Sequence, residues 1–569
     1  MPQSILSLER VLSLLPSRPT PEALEDLLFA SKAEVGSHGD GRIVGDSITV
    51  SVTPDRLDLL SEGGLALYLQ GAMGFARGVP RVEPASPAAP PPGFDVDPSV
   101  DEIRPWISGA LVRAPSESGI DEGLLAEAIR FQEILHASYG RDRRAASLGI
   151  YPWERIVPPV RYSMEPVSGV RFVPLDGLEE VSGDRFFMEH PLAARFSAYG
   201  RVGDRCLVLR DHAGVILSLP PILNSREAGE ARPGDRMLLL ESTGTLERVV
   251  LETLGLLLVV FAARGWTIEP VAIRRPGRPI DSGRSAISLR RIDLPSSTVR
   301  VISGEALSAS DVEHRLSQTR LSPRPSEGGW QVGVPPWRPD LQTATDLAEE
   351  VVLASPLLPE QGIVPPSRTW GRRLPEVRFR RAIGMYLLGL GFAAPHTPLL
   401  VSESTVHRLP GAGSLRLANP VSNEFAYIRD RLLPSYLDVL AHNTRHAYPQ
   451  RFGEVGPVVL RDPDSETGGR TAYHAGMMVA SESAGFADAA SIVEYLLRRL
   501  DVGAVREPVE LPGMIPGRSA RCRVAGEPVA ELGEIHPALL TELGVPVPAA
   551  WAEVDLSTLW PFVARRATP

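Results

Sequence analysis

Two proline-rich stretches constrain this chain of 569 residues more than any other feature. Pro80 to Pro98 is rich in Pro and Ala, with Pro90, Pro91 and Pro92 at its centre, and Ser355 to Trp370 is a second such run. Proline fixes φ and removes a backbone donor, so neither run continues a helix or a central strand. Both read as linkers. Cores must then form separately in the intervals, and the length suits about three to five domains. Helical periods and alternating strands are interspersed throughout, which makes the chain α+β and multidomain.

In order, residues 1–85 read as an N-terminal α/β domain. Two short helices fall within 5–32, with Thr20 and Pro21 placed as cap and first helical residue of the second. A strand over Arg42–Thr53 and a helix over Glu62–Gly74 follow. Residues 86–102 form the linker. Residues 103–270 make the next domain, with a strand near Trp106–Ala114, a helix over Glu122–Tyr139 and a strand over Ser147–Tyr151. Arg205–Leu209 and Val215–Leu219 straddle Asp211-His212-Ala213-Gly214, a hairpin signature. A strand over Met237–Glu241 precedes a helix over Thr245–Arg264, whose apolar run is too short and interrupted to span a membrane. A small unit over 285–360 carries strand-like Thr298–Val301, a helix near Asp311–Thr319 and a strand over Gln331–Val334. Residues 375–569 form the last module, with helices over Arg378–Leu390 and Leu432–His442 and a strand over Phe452–Val459.

The net charge of −10 argues against a protein whose whole surface grips nucleic acid, though not against a local basic patch. Lys32 is the only lysine, a bias of genome composition rather than of function. Cys206 and Cys522 lie far apart and make neither a metal pattern nor a disulfide framework. That favours a reducing compartment. With no signal-peptide layout at the N-terminus, the expected location is the cytoplasm.

Three groups of residues carry candidate chemistry. Asp340 lies in a loop after Pro336 and Pro339, and Asp346, Glu349 and Glu350 follow at i, i+3 and i+4 on a helix. Gathered carboxylates suit a hard cation such as Mg2+, but an acidic first turn is also ordinary helix capping, and spacing alone favours capping. Arg141, Arg143 and Arg144 form a compact basic run that suits phosphate, or a solvated helix end. Ser218, Asn224, Glu241, Ser242 and Thr243 sit at the ends of strands, where small polar side chains line a pocket or make turns. His136 on a helix reads as structural. No Walker A, zinc or Rossmann fingerprint and no nucleophile elbow is present.

Nine segments in order resemble the β subunit of phenylalanyl-tRNA synthetase of the archaeal and eukaryotic type. They are VTPDRLDLLSEGGLA (52–66), LHASYGRDRRAASLGIY (135–151), LSLPPILN (217–224), LLESTGT (239–245), VGVPPWRPDLQTATDLAEEV (332–351), NPVSNEFAYIRDRLLPSYLDVLAHN (419–443), PQRFGEVG (449–456), IPGRSA (515–520) and LGEIHPALLTELGV (532–545). The resemblance implies a tRNA-editing domain over 103–270, a small DNA-binding-like domain over 285–360, and over 375–569 an inactive class II synthetase-like module with an antiparallel sheet. It further implies an α-subunit partner in an α2β2 heterotetramer, tRNA(Phe) as substrate, and ATP used by the complex but not bound by this chain. The editing pocket it implies comprises Leu209, Ser218, Asn224 and Glu241, with Thr243 beside them. The acidic position is often Asp in archaeal relatives, so Glu241 sets the carboxylate one carbon further out. It also implies that Asp340, Asp346, Glu349 and Glu350 hold a Mg2+ at the boundary with the α subunit. Phe and Tyr differ by one hydroxyl, which an apolar pocket rejects weakly. A second site built to hydrogen-bond that hydroxyl discriminates by about 10⁴ or more. The second reading is a diverged, non-editing paralogue that binds tRNA or acts as a scaffold.

Overall fold

The computed structural model describes residues 3–36, 47–80, 93–354, 370–411 and 413–567. The centres of both proline-rich stretches, 81–92 and 355–369, and the start of the strand expected from Arg42 lie outside them. The chain forms two compact units, Met1–Ile363 and Val364–Pro569.

In the first unit, an antiparallel sheet of three strands, Gln3–Ser7, Ser47–Val52 and Ala33–Gly36, begins the chain, with Ser47–Val52 central. The Thr20 hydroxyl accepts from the Ala23 amide at the start of the Pro21–Ala30 helix, the cap that the sequence specifies. Next come two sheets packed face to face. One is antiparallel, in the order Thr267–Pro270, Trp106–Arg113, Met237–Gly244, Ala146–Pro152. The other has seven strands, with the Arg205–Arg210 and Ile216–Leu219 hairpin paired to Val160–Pro166. Gly214 closes that hairpin at φ +92°, a conformation glycine adopts without strain. Gly93–Val96 and Ala272–Arg274 join this second sheet in parallel, so its strands extend beyond the expected span of 103–270.

Alternation along the strands sorts the residues between two cores. Leu239 and Tyr151 pack between the sheets with Phe94, Leu111 and Leu207. Leu238, Leu240, Leu148 and Ile150 face the other way, onto the helices Glu122–Ala137 and Glu247–Ala262. The second helix is the apolar run of the sequence, buried along most of its length. Glu241 and Thr243 share the parity of Leu239, so they too lie between the sheets.

The small unit pairs Gly329–Val334 with both Arg290–Pro295 and Ser322–Ser326. Thr298–Val301, expected as a strand, is part of a helix, Ser296–Ser303. Its β-branched residues favour a strand locally. Packing overrides this: Val299 is buried with Leu347, Ala348 and Val351, and Gly304 ends the helix in the left-handed region.

The second unit carries an antiparallel sheet of six strands, in the order Gln450–Arg461, Gly469–Ala480, Ala549–Asp555, Glu527–Ile535, Met514–Val524, Val505–Pro508. The helices Pro375–Gly389, Phe486–Arg499 and Leu556–Ala567 accompany it. Among the described residues no helix is long and apolar enough to cross a membrane.

Candidate functional site

A cavity of about 330 Å³ opens between the helix Glu122–Ala137, the hairpin end and the antiparallel sheet. Ser218, Asn224, Glu241 and Tyr151 line it, with His136 and Arg143 on the helix side. Three of the residues expected to form the pocket, Ser218, Asn224 and Glu241, therefore meet here. Ser218 and Asn224 come together because their short strands pair directly. Glu241 arrives from the other sheet.

Leu209 and Thr243 do not line this cavity. Leu209 pairs with Ser218 in register and is buried in the core. Thr243 lies one step deeper, where its hydroxyl accepts from Arg104 Nε at 3.0 Å and its carbonyl accepts from Nη2 at 2.7 Å. Ser242 has the opposite parity and faces away, its buried hydroxyl without a partner.

Tyr151 is the member that the sequence alone did not reveal. Its hydroxyl lies 2.9 Å from Ser218 Oγ and donates to Glu241 Oε2 at 3.0 Å. Burial pushes the Glu241 carboxyl up to about 7, against the pull of the Tyr151 hydroxyl, the Arg104 cation and Thr243. Arg104 is itself fully buried and is held by Ser147, Thr243 and the Arg143 carbonyl. Burial brings its guanidinium down to about 10, with Tyr162 and Glu241 opposing. The layer between the sheets is thus polar from Arg104 through to Ser218.

His136 is structural, as its place on a helix suggested. Its Nε2 accepts from the Leu148 amide at 2.8 Å, Nδ1 faces Glu133 at 3.1 Å, and burial lowers its pKa. The three arginines of the basic run divide. Arg141, Asp142 and Arg143 all have positive φ, at 50°, 55° and 63°, a rare conformation for side-chain-bearing residues. This tight turn aims Arg143 back at the protein. Its guanidinium donates to the carbonyls of Pro221 and Ile222 at 3.2 and 3.0 Å, pairs with Glu133 and lies over the Phe196 ring. Arg143 therefore fixes the cavity wall, while Arg141 and Arg144 are exposed.

The acidic stretch is arranged differently from a metal cage. Asp340 and Glu350 both accept from the Arg338 guanidinium, each with an oxygen at 2.7 Å. Asp346 accepts from the Thr343 amide at 2.7 Å as the partner in a capping box, and Glu349 pairs with Lys32 at 3.0 Å. Among the described residues no group of three or more His, Cys, Asp and Glu could hold a metal ion. The donor set as placed does not fit the expected Mg2+. The reason is electrostatic: Arg338 supplies the cation two residues before Asp340, and neighbours 349 and 350 point about 100° apart around the helix.

Comparison with known proteins agrees along the chain. Residues 362–556 match the family described as phenylalanyl tRNA synthetase beta chain CLM domain, and residues 292–355 match the tRNA synthetase B5 domain. The phenylalanine–tRNA ligase beta subunit of Korarchaeum cryptofilum is 31% identical over 544 residues, covering 94% of this chain and 95% of the relative. That of Thermococcus gammatolerans is 27% identical, covering 98% and 99%. The fold is similar to an N-terminal fragment of the Pyrococcus horikoshii phenylalanyl-tRNA synthetase beta subunit, with a TM-score of 0.56 and 24% identity over 62% of this chain and 99% of the fragment.

Proposed function

Because this chain belongs to the family of phenylalanine–tRNA ligase β subunits, we propose that it supports ATP-dependent charging of tRNA(Phe) by an α-subunit partner and that its own pocket hydrolyses mischarged Tyr-tRNA(Phe). The charging reaction and its ATP belong to the partner's site, and the assembly is an α2β2 heterotetramer. The observation that carries the editing reading is the convergence of Ser218, Asn224 and Glu241 on one cavity. The cavity combines apolar wall residues such as Leu125, Ile129 and Ile222 with an equal share of polar ones, enough to hold a ring and to orient its polar groups.

In this reading the tyrosyl ring enters the cavity and its hydroxyl meets the buried polar end. An amino acid without that hydroxyl leaves a buried acceptor unpaired, which is what makes such a site selective. Water is the nucleophile. Ser218 Oγ is bonded to Tyr151 rather than to an imidazole, so it lacks the base that an attacking serine needs. Water adds to the ester carbonyl, the bond to the tRNA 3′ end breaks, and the tRNA oxygen takes the proton. Arg141 and Arg144, exposed on the turn that holds the cavity wall, supply phosphate contacts for the tRNA end.

The test is deacylation of preformed Tyr-tRNA(Phe) by the complex reconstituted from both subunits. Ser218→Ala and Asn224→Ala are expected to slow it at least about tenfold, the loss of one hydrogen bond that matters in the transition state. Equal rates for wild type and both variants overturn the editing reading and leave a subunit that supports charging alone.

A further inference from the structure

Glu241 reaches into a space that a glycine, Gly149, leaves open. Its direct neighbours on the two flanking strands are Gly109 and Gly149. A Cβ on Gly149 would stand 2.2 Å from the Tyr151 hydroxyl and 2.6 Å from Glu241 Oε2, so any other residue there forces these two groups to move. Residues 149 and 151 share a face of their strand. The Tyr151 ring thus lies back over Gly149 and delivers its hydroxyl to the carboxylate. Tyr151 is 1% exposed and packs in the core between the sheets.

A phenol has a single proton to donate. Here it goes to Glu241 Oε2, so the bond to Ser218 is made by the serine's own proton, accepted by the phenol oxygen. Ser218 is then left with acceptor lone pairs only. Glu241 Oε1 is buried and has no hydrogen-bond partner at ordinary geometry. A buried acceptor without a donor is rare and costly, on the order of 1–3 kcal/mol. In a residue that lines a cavity it marks a place for a ligand's donor.

We infer that Tyr151 is a positioning residue of this pocket: it clamps Ser218 and one oxygen of Glu241, and so sets the orientation in which that carboxylate meets a ligand. This rests on the editing reading above and deepens it, since it assigns the orientation and the ionisation of the Glu241 carboxyl to one phenol. The Tyr151 bond draws the Glu241 carboxyl down, while burial pushes it up. The other groups that face Glu241 are Arg104 and Thr243, which also draw it down, and Ser218. Tyr162 lies close enough to feel its charge, His136, Glu133 and Arg143 stand at the helix side of the cavity, and Glu230 lines it as well. Gly109 brings no titratable group from the remaining strand.

The experiment uses the full chain in complex with its partner subunit and preformed Tyr-tRNA(Phe) and Phe-tRNA(Phe). It measures the ratio of kcat/KM for deacylation of the two across pH. In the wild type the ratio is expected to climb with pH through about 7, as Glu241 ionises. Tyr151→Phe removes the clamp, so the midpoint moves up by about one unit or more and the ratio at neutral pH falls about tenfold. Gly149→Ala keeps the phenol but pushes it off Oε2, and is expected to shift the midpoint in the same direction. Folding of each variant is checked by its unfolding transition. If Tyr151→Phe and Gly149→Ala discriminate with the wild-type ratio and midpoint while Glu241→Gln loses discrimination, Tyr151 only fills the core and the inference is overturned. If the wild-type complex deacylates Tyr-tRNA(Phe) no faster than Phe-tRNA(Phe) at any pH, the editing reading falls and takes this inference with it.

Discussion

Replacing Arg338 by alanine should be the most damaging single change in the junction of the acidic stretch. Arg338 is 3% exposed and its guanidinium binds Asp340 and Glu350, of which Glu350 is also 3% exposed. Truncating one member of a buried pair leaves the other charge uncompensated, typically at a cost of about 3–5 kcal/mol. Arg56, itself buried and paired with Asp58, still attracts Glu350, so the loss should fall near the lower end, about 3 kcal/mol. Urea unfolding followed by circular dichroism measures it. The sign with pH is also fixed. Burial alone would raise the Glu350 pKa, and Arg338 and Arg56 pull it below the usual value. In the wild type its stabilising share is present above the unfolded pKa and is lost as pH falls through the lower folded one. In Arg338→Ala burial dominates and the carboxyl takes up its proton earlier, so the gap between variant and wild type should close as pH falls toward about 4. The double variant Arg338→Met with Glu350→Leu should recover at least half the loss, since apolar packing replaces the pair. A gap that is flat between about pH 4 and 8, or a loss under about 1 kcal/mol, refutes the argument. The same assay bears on the ion: with Arg338 and Lys32 paired to three of the four carboxylates and Asp346 capping the helix, a chelator should leave the wild-type midpoint unchanged. A midpoint that falls in chelator and returns with Mg2+ would mean that the carboxylates give up these partners for a metal.

Three further outcomes are expected. Glu241 has a folded pKa raised to about 7 from 4.5, so the folded state holds the extra proton; wild-type stability should decline as pH rises between those values. The decline should be at most about 3 kcal/mol, absent in Glu241→Gln, and a flat wild-type curve refutes it. Arg143→Ala removes bonds to two carbonyls and to Glu133, and should destabilise the chain by about 1–3 kcal/mol in denaturant titrations. Arg141→Ala and Arg144→Ala should instead leave stability unchanged and weaken tRNA binding, with a shallower salt dependence in filter binding; the reverse pattern would exchange the roles assigned to these arginines.

Much of the architecture was legible because it is local. Thr20 and Pro21 set a helix start, Asp211 to Gly214 set a hairpin, and the apolar run after Thr245 could only be a buried helix. Thr298 to Val301 misled because β-branched residues favour strands, while burial of Val299 against a helix some fifty residues later decided the matter. The site was half legible. Ser218 and Asn224 are close in sequence and meet by simple strand pairing. Tyr151 is separated from Ser218 by 67 residues and from Glu241 by 90; it meets Glu241 by pairing of distant strands in one sheet, and Ser218 only when the two sheets stack. The one local clue was Gly149, two residues before it on the same strand face, where a side chain would block the ring.

The acidic stretch shows why spacing has to be read with its cations. Residues at i, i+3 and i+4 lie on one side of a helix, yet successive residues differ by about 100° around the axis. Glu349 can therefore reach outward to Lys32 while Glu350 turns inward to Arg338. Asp346, at the N-terminal end, is drawn to free amides that no other group satisfies, and caps the helix. The four carboxylates thus face three different electrostatic partners. A motif that lists only the acids misses Arg338, which stands between Asp340 and Glu350 and is written into the same five residues as the two prolines that hold the loop open. Charge compensation is a property of the whole segment, and it decides whether neighbouring carboxylates form a cation site or a buried ion network.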